Sequence, residues 1–315
     1  MQSDPINYGM GIVCFPNAID VDQDTVIPYL AGLKQKAIEE DYTIIEESDG
    51  NHYAINRSGH RYSIPDIDRT ASHIMNFIDN NTPKNIVDFF ENCENTIYNS
   101  LLRYIEIYPM IFPNIWWKTL GHVLAYGPGS DMGMHNDNDV NYQPDFEPDL
   151  QLATRNVVGA IIYLNSSVKN KEDIVKHEYN NGEIVFPYAN ATYAPKVGDV
   201  LLFPSNYLGT HEIKPCHNGS RYAYIGYFAQ GSSDPDRGIF ITDEKLSAGM
   251  QGQIWVKSIR EDYISYILNK YGYEDLEVAS RDSRLEVALR PTIVRPNSKG
   301  TSENLPHKKG KNEKQ

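Results

Sequence analysis

The chain has 315 residues, 40% hydrophobic and 23% charged, which suits a soluble globular protein of one large or two small domains. Its formal net charge of −13 repels phosphate backbones and anionic lipid, so neither a nucleic-acid nor a membrane partner is expected. Three well-separated cysteines, Cys14, Cys93 and Cys216, fit free thiols rather than a disulfide framework or a zinc pattern.

The opening MQSDPINYGMGIVCF has no basic, apolar leader pattern, and the apolar run Val157–Leu164 is too short to span a bilayer. A cytoplasmic protein is the expectation. Residues 24–40, 70–79 and 84–107 show helical spacing, with a loop or hairpin around 43–64. In the last of these helices Ile86, Phe89, Phe90, Cys93, Ile97, Leu101 and Ile105 share one face.

From Trp116 onward the apolar runs shorten and fill with Val, Ile, Tyr and Phe. They predict strands near 117–126, 157–164, 183–188, 199–203, 210–214 and 221–229. Gly127-Pro128-Gly129, Asn165-Ser166-Ser167, Asn180-Asn181-Gly182 and Asn218-Gly219 punctuate them, as in a sandwich or barrel. A helix returns at 259–271. The expected organisation is a mainly helical region at 1–110, a β core at 111–235, a helical extension at 236–295 and a disordered, lysine-rich tail at 296–315.

The informative segment is Gly129-Ser-Asp-Met-Gly-Met-His135-Asn136-Asp137. A His and an Asp one residue apart on extended backbone project to the same side and can hold one metal ion together. His211, after the strand Asp199–Phe203 and a short turn, is the candidate third ligand. Two imidazoles and a carboxylate leave three coordination positions open, the donor set of non-haem iron(II) oxygenases. Two of those positions suit an oxo-acid chelate, and the third suits O₂. Arg221 follows ten residues after His211 and opens the strand Arg221–Phe228. Its planar fork matches a carboxylate such as the distal one of 2-oxoglutarate. Asp139 rivals Asp137, and His217 rivals His211. His122 is read as structural.

From about Leu124 to Phe228 the sequence resembles the 2-oxoglutarate/iron(II) dioxygenases, in their prolyl-4-hydroxylase-like branch. The resemblance rests on Tyr126-Gly-Pro-Gly leading to His135, Ile162-Tyr163-Leu164-Asn165 and Asn181-Gly182-Glu183-Ile-Val-Phe186-Pro187. It continues through Pro195-Lys-Val-Gly198-Asp-Val-Leu-Leu-Phe203, His211-Glu-Ile and Gly219-Ser-Arg221-Tyr222. It implies an α+β protein, mainly β with flanking helices, whose core is a double-stranded β-helix or jelly roll. It implies Fe(II) and 2-oxoglutarate as cofactors and O₂ as cosubstrate. Tyr163 is then expected beside Arg221 at the 2-oxoglutarate carboxylate, Tyr126 near the cosubstrate and Tyr227 near the iron. No catalytic residue is expected beyond the metal ligands.

The carboxylate at Asp137 points to hydroxylation or another oxygen-driven outcome, because halogenases of this kind leave that position to chloride. The segment 138–155 is long and acidic. With Asp139, Arg155, Met132, Met134, Trp117 and Tyr227 it suggests a pocket for a small, amino-acid-derived metabolite. A hydroxylase acting on side chains of proteins or peptides and a non-enzymatic metal-binding protein are the alternatives.

Overall fold

The computed structural model describes residues 3–46, 52–56, 61–63, 71–74, 77–115, 117–119, 121–138, 156–230, 253–255 and 259–292. The described residues begin with a hairpin of β1 (Ile6–Gly9) and β2 (Ile12–Phe15), turned at Gly9 and Gly11, both with positive φ. A helix follows at Gln23–Asp41. Then β3 (Tyr42–Glu46), β4 (His52–Asn56) and β5 (Arg61–Ser63) form a small antiparallel sheet where the sequence predicts a loop or hairpin.

The helix expected at 70–79 does not form. Residues Ala71–Ile74 are instead strand β6, paired with β8 (His122–Tyr126). Local helix propensity is a weak preference, and the otherwise unpaired edge of β8 offers backbone partners that override it.

The long helix Lys84–Ile107 matches its sequence pattern. It buries Ile86, Phe90, Cys93, Ile97, Leu101 and Ile105, and Phe89 packs at the margin. Next come β7 (Trp117–Thr119), β8, β9 (Met132–His135), β10 (Asn156–Tyr163), β11 (Ser167–Val168) and β12 (Tyr179–Asn181). They are followed by β13 (Ile184–Phe186), β14 (Ala191–Tyr193), β15 (Val200–Pro204), β16 (His211–Ile213), β17 (Cys216–His217), β18 (Arg221–Ala229) and β19 (Gln253–Trp255). A helix at Ile259–Tyr271 follows, as its spacing predicts.

The largest sheet has nine strands, in the order β1-β2-β15-β10-β18-β7-β19, with β8 also on β18 and β6 on β8. Its side chains alternate between two faces, as the two-residue period requires. Val158, Ala160, Ile162, Val200, Leu202, Tyr222 and Tyr224 join the core under the long helix. Ile161, Tyr163, Leu201, Phe203, Ala223 and Ile225 line a second cluster on the opposite face. The functional residues lie on that opposite face.

The α+β class holds, but the double-stranded β-helix, or jelly roll, does not. The described ladders form four open sheets, of nine, four, three and three strands, and none closes or curls on itself. Proline and glycine explain the breaks, since proline has no N–H for a ladder and these turns need glycine's freedom. Pro128 and Gly129 separate β8 from β9, Pro195 and Gly198 separate β14 from β15, and Pro215 separates β16 from β17. Gly209 ends the turn before β16, where a side chain would collide with the Pro204 carbonyl.

Cys14, Cys93 and Cys216 are free and buried. Among the described residues no helix is long and apolar enough to cross a membrane. The expected tail at 296–315 lies outside the described residues.

Candidate metal centre and cosubstrate pocket

β9 and β16 pair antiparallel at one edge of the four-stranded sheet, and their register sets His135 directly opposite His211. The two rings lie 4.3 Å apart between centroids. Asp137 lies just past the end of β9, its Oδ1 3.5 Å from His135 Nε2. One ligand atom from each of His135, Asp137 and His211 falls within 4.8 Å of the others.

Each histidine is tied to the carbonyl two residues before it. His211 Nδ1 lies 2.9 Å from Gly209 O, and His135 Nδ1 lies 2.7 Å from Gly133 O. A carbonyl only accepts, so Nδ1 carries the proton in both rings and Nε2 is left with its lone pair. That is the tautomer a metal needs.

His211 is buried against Phe203 and Phe186, with ring centroids at 4.9 and 5.5 Å. Burial, with repulsion from His135, pulls its pKa down to about 3, so the ring is neutral at physiological pH. Burial pushes Asp137 up to about 6, and His135 partly opposes this. A divalent cation is the partner that would return this carboxylate to its charged form.

The second half of the site is on the large sheet. Arg221 opens β18 opposite Tyr126 on β8, and Tyr163 is on the neighbouring β10. The guanidinium is 1% exposed and lies 4.7 Å from the Tyr126 ring centroid and 5.5 Å from that of Tyr163. Burial opposes its charge, yet the phenols of Tyr126, Tyr179 and Tyr163 hold its pKa above the ordinary value. Arg221 Nε and Nη1 and the hydroxyls of Tyr163 and Tyr179 are all buried without a hydrogen-bond partner. Four convergent polar groups around one unneutralised cation fit a carboxylate, which accepts about four hydrogen bonds and supplies the missing charge. The donor set and the orphaned pocket therefore fit Fe(II) and 2-oxoglutarate.

The remaining candidates separate clearly. Tyr227 follows Arg221 on the same strand face, opposite Gly159, and is pushed up well above its ordinary pKa by burial and then by the charge of Asp137. The Tyr126 hydroxyl lies 3.7 Å from the Met132 sulfur, while Met134, next to His135 in β9, is exposed. Trp117 is in β7 opposite Ala229, and its side chain is outside the described residues, as are Asp139 and Arg155. His217 is exposed in a different sheet, opposite Asn180. His122 is buried, its ring centroid 6.3 Å from that of Tyr227.

Sequence reasoning missed Tyr179, which precedes a stretch read only as turn punctuation. It also missed Asn156, which bonds the Asp137 carbonyl, and Gly159, where an added Cβ would stand 3.3 Å from the Asp137 carboxylate.

Residues 121–229 match the family model described as the 2OG-Fe(II) oxygenase superfamily. That segment belongs to the superfamily. The oxygenase is an Fe(II)/2-oxoglutarate-dependent oxidoreductase, with the two-histidine, one-carboxylate site that this chemistry uses. When bound, Fe(II) and 2-oxoglutarate supply oxidation by O₂, with 2-oxoglutarate converted to succinate and CO₂.

No curated protein matches the oxygenase. Several solved structures do. A viral collagen prolyl hydroxylase from Paramecium Bursaria Chlorella virus-1 is 12% identical, with a TM-score of 0.41 over 70% of this chain and 97% of that one. A Pseudomonas putida prolyl-4-hydroxylase is 16% identical, with a TM-score of 0.39 over 71% and 94%. A Trichoplax adhaerens prolyl hydroxylase, solved with a hypoxia inducible factor peptide, is 19% identical, with a TM-score of 0.41 over 70% and 84%.

Proposed function

We propose that the oxygenase hydroxylates an unactivated C–H bond on a side chain of a peptide or protein, in the manner of a prolyl-type hydroxylase. In this reading His135, Asp137 and His211 hold the iron. Arg221 and Tyr163, with Tyr126 and Tyr179, hold the distal carboxylate of 2-oxoglutarate. Tyr227 flanks the substrate side.

One observation carries the choice of substrate. The cosubstrate end is sealed, with Arg221, Tyr126, Tyr163 and Tyr179 all buried. The metal end opens beside β9, an edge strand with no second ladder partner among the described residues. The His135 side chain there is 30% exposed. A strand edge without a second partner among the described residues, next to the reactive centre, suits an extended peptide. A small metabolite is usually enclosed on most sides.

The test has two stages. Anaerobic Fe(II) titration with and without 2-oxoglutarate should give the weak visible charge-transfer band of the chelate, and His211→Ala should lose it. Succinate release should then be compared on proline-containing peptides and on free amino acids. Coupled release with peptides alone supports the proposal. Coupled release with free amino acids alone returns the substrate to the small-metabolite class. Iron binding without a 2-oxoglutarate band defeats the cosubstrate assignment.

A further inference from the structure

Asp137 is not held by the ladder that holds its neighbour. His135 is paired with His211 inside the β9–β16 ladder, whereas β9 ends before Asp137. Its position is set from the other sheet, by β10. Asn156, the first residue of β10, donates from Nδ2 to the backbone carbonyl of Asp137 at 2.9 Å. Asn138 returns the bond, donating from its own Nδ2 to the Asn156 carbonyl at 3.0 Å. Two crossed amide-to-backbone bonds thus staple residues 137 and 138 onto β10.

Three residues along the same strand, Gly159 completes the cradle. A Cβ there would stand 3.3 Å from Asp137 Oδ2 and 2.9 Å from Phe203 Cζ, so the carboxylate rests beside bare backbone. The orientation of Asn156 is fixed by this arrangement. A carbonyl can only accept, so the amide nitrogen must face Asp137. The residue is 3% exposed, and its Oδ1 is left buried without a hydrogen-bond partner. An asparagine that merely filled space would gain by satisfying both ends of its amide.

We propose that Asn156 is a positioning residue for the metal: it fixes the backbone at Asp137, and through it the carboxylate, against β10 and thereby sets metal affinity without touching the ion. This rests on the reading of His135, Asp137 and His211 as the ligand set.

The test measures Mn(II) affinity, by electron paramagnetic resonance of free Mn(II), together with the melting temperature of the metal-free protein. It also measures KM for 2-oxoglutarate at saturating Fe(II). The variants are Asn156→Ala, Asn156→Asp and Asn156→His. Aspartate keeps the shape but cannot donate to a carbonyl, and a histidine Nδ1–H occupies nearly the place of the asparagine Nδ2–H. Alanine and aspartate should weaken Mn(II) binding about 10- to 100-fold, the usual effect of removing a group that orients a ligand. Histidine should recover most of that loss, and KM for 2-oxoglutarate, governed at Arg221, should stay within about threefold.

If the Asn156 variants do not fold, Gly159→Ala presses on the carboxylate from the same strand and should show the same loss of metal affinity. Ile161→Val on that strand should lose some stability and no affinity. Mn(II) affinity unchanged in Asn156→Ala and Asn156→Asp would overturn the proposal. So would losses no larger than that of Ile161→Val. If wild type binds Mn(II) and His211→Ala does not, an inert Asn156 overturns this inference alone. If wild type binds no metal, the ligand reading falls with it.

Discussion

Replacing Arg221 with methionine should make the protein more stable and less able to bind its cosubstrate. The guanidinium is 1% exposed, and two of its nitrogens have no hydrogen-bond partner. Burying an unpaired ion costs several kcal/mol, and the two tyrosine ring contacts return about 1–2 kcal/mol each. About 1–3 kcal/mol of penalty therefore remains in the cosubstrate-free protein. Methionine has similar length and no charge, so removing that penalty should raise Tm by about 2–5 °C for a chain of this size. The effect on 2-oxoglutarate has the opposite sign. Its carboxylate would enter the same buried pocket without a partner, a loss of about 3–5 kcal/mol, or roughly 150- to 5,000-fold in Kd. Thermal melts of the Mn(II)-loaded protein read both effects. At about one hundred times the wild-type Kd, 2-oxoglutarate should stabilise wild type by about 2.7 kcal/mol and leave the variant unmoved. A variant that keeps the full ligand-induced shift would refute the carboxylate assignment. One that melts lower than wild type without ligand would refute the claim of an unneutralised charge.

Tyr163→Phe removes only a buried, unpartnered hydroxyl. It should raise KM for 2-oxoglutarate about 10-fold, near the low end of the roughly 1.5–3 kcal/mol of a hydrogen bond to a charged group, while Mn(II) affinity holds. Gly209→Ala puts a Cβ against the Pro204 carbonyl and shifts the turn that fixes His211. It should destabilise the fold by about 1–3 kcal/mol, as overpacking does, and weaken Mn(II) binding, both measurable in one titration series. His211 also predicts a pH dependence. Its pKa is depressed to about 3, so in the metal-free protein it stays neutral where the unfolded state takes up a proton below about 6.5. The folded state therefore loses stability as pH falls from about 6.5 toward 3, by about 2 kcal/mol at pH 5. His211→Phe should lack that increment. Equal shifts in urea midpoint for the two proteins between pH 7 and pH 5 would show that the ring is not buried as a neutral group.

The parts of this protein legible in its sequence are those set by short-range rules. The apolar stripe of Lys84–Ile107 and the strand that begins at Arg221 follow from local periodicity, and the one-residue spacing of His135 and Asp137 marks the metal site even though the strand ends at His135 and Asp137 lies in the bend beyond it. The strand at Ala71–Ile74 was not legible, because it exists only through its pairing with β8. The separation into four open sheets was equally hidden. The prolines that interrupt the ladders are visible in sequence, but which strands they keep apart depends on the tertiary arrangement. Tyr179 and Asn156 reach the site across sheet register, which no spacing along the chain reveals.

The way the two histidines are anchored bears on how this site tolerates sequence drift. Both rings hand their spare proton to a backbone oxygen, at Gly133 and at Gly209, rather than to a carboxylate or amide side chain. A backbone acceptor survives substitution at its own position where there is room for a side chain, as at Gly133, and is lost where there is none, as at Gly209. Apart from Gly209 itself, the nitrogen donors are thus insulated from changes in surrounding side chains, and the same insulation removes one route by which a neighbouring acid could tune their basicity. The third ligand has less shelter, because an amide side chain, that of Asn156, fixes the backbone at Asp137. Over many generations, variation in the electronic character of this centre should accumulate around Asp137 and leave the imidazoles unchanged.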